Sequence, residues 1–171
     1  EGEYGHITSG AVDYGAWWNY SFTRLGGLTM TDKDRWEIGD KIRSEPGKIR
    51  LSSMKDRRDR ALFADAYNDP DSGIFTGRKK VANPEFTGPV TYIGQDQVDA
   101  DVKLLKNAMD KAGAKDGFVA ALSPGSAARL PNKYYEEDSD LVRACGEALK
   151  SEYKAITDAG LTVQFDAPDL A

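Results

Sequence analysis

Two turns near the C-terminal end of the chain carry the polar residues best placed to do chemistry. Ser123 opens the turn Ser123–Gly125 directly after one short apolar run, and Asp166 opens a Pro-containing turn after another. In parallel α/β sheets, ligands bind outside the carboxyl ends of the strands. These two turns are therefore the first candidates for a binding site.

The segment between the two turns has the pattern of a long amphipathic helix. Its apolar residues recur at spacings of three and four, and Gly160 follows the last of them as the expected left-handed stop. These residues are Leu141, Cys145, Ala148, Leu149, Ile156 and Ala159. A helix flanked by two short apolar runs predicts a β–α–β crossover, whose strands are almost always parallel.

A second crossover is predicted upstream. The run 86–92 indicates a strand, and the next segment predicts a helix over 97–112, capped by Asp96 and ended by Gly113. From residue 86 onward the order is therefore strand, helix, strand, helix, strand. This order predicts an α/β fold in which crossover helices connect parallel strands.

The first half of the chain is less regular. The aromatic residues of the segment 12–25 predict a helix that is buried over much of its surface, and the alternative is an aromatic wall beside the site. Residues 29–79 are interpreted as an irregular insertion, with a short strand over 48–51 and a helix over 54–67.

Composition excludes several classes of function. The 171 residues carry a net charge of −5, which offers no basic face to a nucleic acid. One cysteine excludes an internal disulfide and a zinc site made of cysteines alone. No apolar run reaches the roughly 18 residues of a membrane span, and no signal peptide is visible. We expect one domain over residues 1–171, located in the cytoplasm, with no membrane partner.

Several short motifs together carry a resemblance to a known family. They are Gly2–Glu3, Tyr20–Gly27, Lys80–Pro84, Thr87–Thr91, Ser123–Gly125, Glu152–Ile156, Asp158–Gly160 and Gln164–Ala171. Their order and spacing resemble the catalytic barrel of the cobalamin-independent methionine synthase family and its small relatives. The resemblance covers residues 1–28 and 80–171, and residues 29–79 match nothing in it.

The resemblance implies a (β/α)₈ TIM barrel that transfers a methyl group to a zinc-activated thiol such as homocysteine. In that family, two acids at strand ends hold the amino group of the substrate, and they correspond to Glu3 and Asp166. A carboxylate binds an ammonium group by charge-assisted hydrogen bonds of about 1.5–3 kcal/mol each. The alternative interpretation is structural: Glu3 caps a helix, and Asp166 forms a turn before Pro168.

The chain also departs from the family pattern. The zinc ligands of the family, a His-x-Cys pair and a later cysteine, would follow Ala171, so zinc is expected but its ligands are not in this chain. Cys145 lies on the apolar stripe of its predicted helix, where core packing explains it. A tryptophan that stacks on the folate donor is replaced by the sequence Tyr92–Gly94, which leaves Tyr92 as the stacking candidate and makes a folate donor doubtful.

These departures define the fold expectation and its rivals. A complete barrel needs about 250 residues, so we expect a partial barrel with about four of the eight strands. A half-barrel exposes strand edges, and we therefore expect a complementary chain or a homo-oligomer. The candidate binding residues are Glu3, Tyr92, Ser123 and Asp166. The rival functions are a thiol alkyltransferase or lyase of the coenzyme M type and a non-catalytic half-barrel that self-associates.

Overall fold

The structure is a computed structural model that describes residues 23–34, 47, 58–69, 82–167 and 170. In chain order its elements are β1 (Leu25–Asp34), α1 (Arg58–Leu62), α2 (Ala64–Asn68), β2 (Ala82–Tyr92), α3 (Gln95–Ala112), β3 (Phe118–Leu122), α4 (Pro124–Ala127), α5 (Asp138–Asp158) and β4 (Thr162–Asp166). Glu3, the aromatic segment before Thr23 and the predicted strand 48–51 lie outside the described residues.

The last third of the chain forms the predicted β–α–β crossover. β3 and β4 are parallel, and their register runs from Phe118 beside Thr162 to Leu122 beside Asp166. α5 connects them and buries the predicted stripe, including Leu141, Cys145, Leu149 and Ile156. Gly160 ends the turn after α5 in the left-handed conformation, with φ of 77°, as its position in the sequence indicates.

The helix before this crossover also follows its sequence pattern. α3 is two residues longer than predicted at its start, because Gly94 and not Asp96 is the N-cap residue. Asp96 lies in the first helical turn, where a carboxylate still interacts favourably with the helix dipole. Gly113 ends α3 in the left-handed conformation, with φ of 68°.

The predicted barrel is wrong. β2 was expected to lie parallel to β3, but it pairs with β1 in an antiparallel sheet in which Leu25 lies opposite Tyr92. The described residues form two separate two-stranded sheets, β1–β2 and β3–β4, and no barrel. β1 runs to Asp34 and therefore into the region interpreted as an insertion. Within the described residues 58–69, the helix predicted over 54–67 is divided into the short helices α1 and α2.

The hydrogen bonds of β2 give the physical reason for the correction. One edge of β2 is occupied by β1. On the other edge, the Phe86 N–H donates to Pro131 O at 2.8 Å, and the Lys133 N–H donates to Phe86 O at 2.9 Å. Because both edges of β2 have partners at Phe86, β3 cannot pair with the strand there.

Two hydrophobic clusters hold these elements together. One surrounds Phe86, Leu122 and Leu149, between β2, β3 and α5. The other surrounds Val98, Ala121 and Ile156, where α3 and α5 cover one face of β3. Tyr92 and Tyr153 pack against both clusters and so lie at the boundary between them. No helix in the described ranges is long and apolar enough to cross a membrane.

Candidate functional site

Ser123 and Asp166 lie together, as their positions after two parallel strands predict. Asp166 is the last residue of β4 and pairs with Leu122 of β3. The Ser123 N–H donates to Asp166 O at 3.0 Å, which continues the ladder one step past the end of β3. Ser123 is buried and Asp166 is half-buried. The carboxyl edge of β3–β4 therefore places Asp166 at a partly enclosed position.

The turn after β3 has a structural explanation that the sequence interpretation did not consider. Ser123 is the N-cap residue of α4, and its Oγ accepts a hydrogen bond from the Ser126 N–H at 3.1 Å. Pro124 at the first helical position has no N–H group, and the Ala127 N–H donates to Ser123 O at 2.9 Å. The turn thus uses the amide groups of Ser126 and Ala127 internally.

Tyr92, the predicted stacking residue, makes its polar contact with the protein interior. Its hydroxyl donates to Glu152 Oε2 at 2.8 Å and also lies 3.3 Å from Gly94 O. Burial, and next the negative charge of Glu152, raise the pKa of Tyr92 above its ordinary value. The phenol therefore stays neutral at physiological pH, and its stacking on a donor remains a prediction.

The main polar group that the sequence interpretation missed is a buried charge network. Arg24 is 4% exposed and Glu152 is 3% exposed. Arg24 Nη1 lies 3.3 Å from Glu152 Oε2, while Nη2 forms a close ion pair with Asp101 of α3. We refer to Arg24, Asp101, Glu152 and Tyr92 as the Arg24 network. The spacing of α5 contained a signal for it, because Glu152 lies three residues after Leu149 and four before Ile156, on the buried stripe.

Tyr153, the residue after Glu152, contacts the ends of the two parallel strands. Its hydroxyl donates to Leu122 O at 2.6 Å. Its ring meets the Phe165 ring edge to face, with centroids 4.8 Å apart and an interplanar angle of 90°. Burial first, and the negative charge of Glu152 second, raise the pKa of Tyr153. Consecutive residues of α5 therefore contact the carboxyl ends of β2, β3 and β4.

The described residues do not themselves form a zinc site, and zinc bound by ligands outside this chain stays a prediction. Cys145 is fully buried in the first hydrophobic cluster, and burial raises the pKa of its thiol to about 12. A zinc ligand has to be the thiolate, which this environment disfavours. In the described ranges, no group of three His, Cys, Asp or Glu side chains is arranged to hold a metal ion.

Comparison of the chain with protein-family models, with curated proteins and with solved structures finds no match. A function is therefore inferred from the geometry at the carboxyl edge of β3–β4 and from the sequence motifs that carry the resemblance.

Proposed function

We propose that this chain binds a small thiol bearing an ammonium group, of the homocysteine type, as the acceptor of a methyl group. The observation that carries the proposal is the position of Asp166, half-buried at the end of a parallel strand and hydrogen-bonded through its backbone to Ser123. In the proposal, the Asp166 carboxylate pairs with the ammonium group, and Glu3 supplies a second carboxylate. Each such charge-assisted hydrogen bond contributes about 1.5–3 kcal/mol.

The proposed role of these residues is to bind and orient the acceptor. In the reaction, a bond forms between the acceptor sulfur and the methyl carbon, the bond from that carbon to the donor breaks, and the thiol proton leaves to a base. The thiolate is the nucleophile, and an unperturbed thiol has a pKa of about 8.5. Fixing the ammonium group at Asp166 limits where the sulfur can lie, which is a positioning contribution to the rate. We place the protein in the cytoplasm, with a small-molecule thiol as its partner.

Isothermal titration calorimetry with L-homocysteine tests this proposal. The variant Asp166→Asn keeps the size of the side chain and removes its charge, and we expect binding to weaken by about 10- to 100-fold. The matched control is Asp158→Asn, which changes an exposed acid paired with Lys154 at 3.6 Å on α5. We expect the control to bind as the wild-type chain does. Equal affinities of wild type and Asp166→Asn would refute the role of this carboxylate.

A second ligand separates this proposal from its closest rival. A thiol sulfonate such as 2-mercaptoethanesulfonate, the acceptor type of a coenzyme M-dependent alkyltransferase, has no ammonium group, and its negative charge opposes that of Asp166. We expect no binding of the sulfonate to the wild-type chain. Sulfonate binding that survives or improves in Asp166→Asn would favour the rival.

A non-catalytic, self-associating protein is the second candidate, and the exposed parts of the β3–β4 sheet support it. Phe118 is 49% exposed and Phe165 is 55% exposed. Parallel sheets usually have both faces covered, and this one contains only two strands in the described part of the chain. Light scattering over a range of protein concentrations tests the candidate. A dimer or larger species would support it, and a monomer with a cooperative thermal transition would contradict it.

A further inference from the structure

The carbonyl group of Leu122 points away from the neighbouring parallel strand. The Ser123 N–H donates to Asp166 O, so this N–H faces β4. The Leu122 carbonyl belongs to the same trans peptide group as the Ser123 N–H, and the two point in opposite directions, so Leu122 O faces the opposite edge of β3. The Tyr153 hydroxyl reaches Leu122 O there, at 2.6 Å. A side chain of α5 thereby occupies the hydrogen-bonding position that an added strand would use at the end of β3.

The same side chain also contacts the end of β4. The Tyr153 ring packs edge to face on the Phe165 ring at a centroid distance of 4.8 Å. Phe165 directly precedes Asp166, just as Leu122 directly precedes Ser123. One side chain therefore contacts the residue before each of the two candidate binding residues.

Tyr153 is itself well fixed. It follows Glu152, which is held by Arg24 and by the hydroxyl of Tyr92. Its ring packs against both hydrophobic clusters. Because burial raises the pKa of its phenol, Tyr153 keeps its proton and remains a donor to Leu122 at physiological pH.

We propose that Tyr153 is a positioning residue, which sets the relative placement of Ser123 and Asp166 through the Leu122 carbonyl and the Phe165 ring. The inference depends on the proposed function, because the placement matters for binding only if Asp166 contacts the ligand. Tyr153 does not touch the ligand in this proposal. Its loss should therefore change local order at the strand ends and ligand affinity together.

The variant Tyr153→Phe tests the inference, since it removes the hydroxyl and keeps the ring. Amide hydrogen exchange gives a local readout at the two ends of the β3–β4 hydrogen-bond ladder. The Ser123 amide lies at the end beside the Tyr153 contact. The Thr162 amide, which donates to Gly117 O at 3.0 Å, lies at the other end. We expect exchange of the Ser123 amide to become about fivefold faster while the Thr162 amide is unchanged. We expect the affinity for L-homocysteine to fall by about three- to tenfold. The control Tyr134→Phe removes the hydroxyl of an exposed tyrosine and should change neither quantity.

The possible outcomes separate the two proposals. The positioning role would be overturned if amide exchange at Ser123 were unchanged in Tyr153→Phe, or if it accelerated equally at Ser123 and Thr162. It would also be overturned if exchange at Ser123 became faster while the affinity for L-homocysteine stayed the same. If the wild-type chain does not bind homocysteine, the proposed function fails alone, and the exchange data still decide whether Tyr153 positions the strand ends. If Tyr153→Phe does not fold, Phe165→Leu removes the ring contact at an exposed position and keeps the hydroxyl. That variant should also bind more weakly, and wild-type affinity would overturn the inference.

Discussion

Removal of the charge on Glu152 should destabilise the fold more than any change of an exposed acid on the same helix. Glu152 is 3% exposed and lies 3.3 Å from Arg24 Nη1. It also accepts a hydrogen bond from the Tyr92 hydroxyl at 2.8 Å. The variant Glu152→Gln keeps the shape and an acceptor for Tyr92, and it leaves the buried guanidinium with Asp101 as its remaining acid in the Arg24 network.

The size of the expected loss of stability follows from the burial of the ion pair between Arg24 and Glu152. Removing one partner of a buried ion pair costs about 3–5 kcal/mol, because the other charge stays desolvated and is less well compensated. Asp101 remains beside Arg24, and its side chain is 22% exposed, so part of the compensation persists. We therefore expect a loss near the lower limit, about 3 kcal/mol of the free energy of unfolding.

Urea denaturation followed by circular dichroism measures this loss. The control variant is Glu147→Gln on the same helix, whose carboxylate pairs with Lys150 at 3.6 Å and whose side chain is exposed. We expect that control to change the free energy of unfolding by less than about 1 kcal/mol. The dependence of the free energy on urea concentration should stay the same in both variants, since neither changes the surface buried on folding.

A double-mutant cycle makes the test specific to the ion pair. If Arg24→Met and Glu152→Gln act on one network, the double variant should be less destabilised than the sum of the two single variants, by about 1–3 kcal/mol. A loss below about 1 kcal/mol for Glu152→Gln, or strict additivity in the cycle, would refute the reasoning, because either result would mean that Arg24 does not depend on Glu152.

Two further predictions concern packing beside the Arg24 network and in the core. Gly94→Ala should destabilise the fold by about 1–3 kcal/mol in thermal or urea unfolding, because the added Cβ would lie 2.5 Å from both Cβ and Cγ of the buried Arg24. Gly146→Ala on α5, where the nearest heavy atom would be Pro124 Cγ at 3.6 Å, should instead be neutral or stabilising, and a destabilisation equal to that of Gly94→Ala would contradict the packing argument. Cys145, whose thiol pKa is raised to about 12, should not react with Ellman's reagent at pH 8 in the folded chain and should react fully in guanidinium chloride; rapid reaction under native conditions would contradict its burial.

The elements that the sequence predicts well are those whose signals are local. α5 follows from the three- and four-residue spacing of its apolar side chains, and its end follows from Gly160. The parallel pairing of β3 and β4 follows from the crossover rule, since a helix connects two adjacent short apolar strands. The proximity of Ser123 and Asp166 then requires no further information, because Ser123 directly follows β3 and Asp166 ends β4.

The elements that the sequence predicts poorly depend on contacts between distant parts of the chain. β2 has the composition of a strand in either pairing, and its antiparallel partner β1 lies across residues 35–81. The local pattern contains nothing that selects β1 over β3 as the neighbour of β2. Arg24 shows the same limit, because its partner Asp101 is 77 positions away along the chain. A buried charge is identified from sequence only when its partner can be identified too.

The separation of the two sheets explains why α5 matters for the candidate site. In the described part of the chain, no strand of β1–β2 pairs with a strand of β3–β4. The relative placement of the two sheets is therefore not fixed by hydrogen bonds between their strands. α5 contacts the ends of both: Glu152 accepts from Tyr92 of β2, and Tyr153 donates to Leu122 of β3. Two adjacent residues on one rigid helix thereby fix the distance between the end of β2 and the edge that carries Asp166. If an acceptor is held by Asp166 and a donor stacks on Tyr92, this distance sets how far apart the two reactants lie, so their alignment would depend on the Glu152 and Tyr153 contacts.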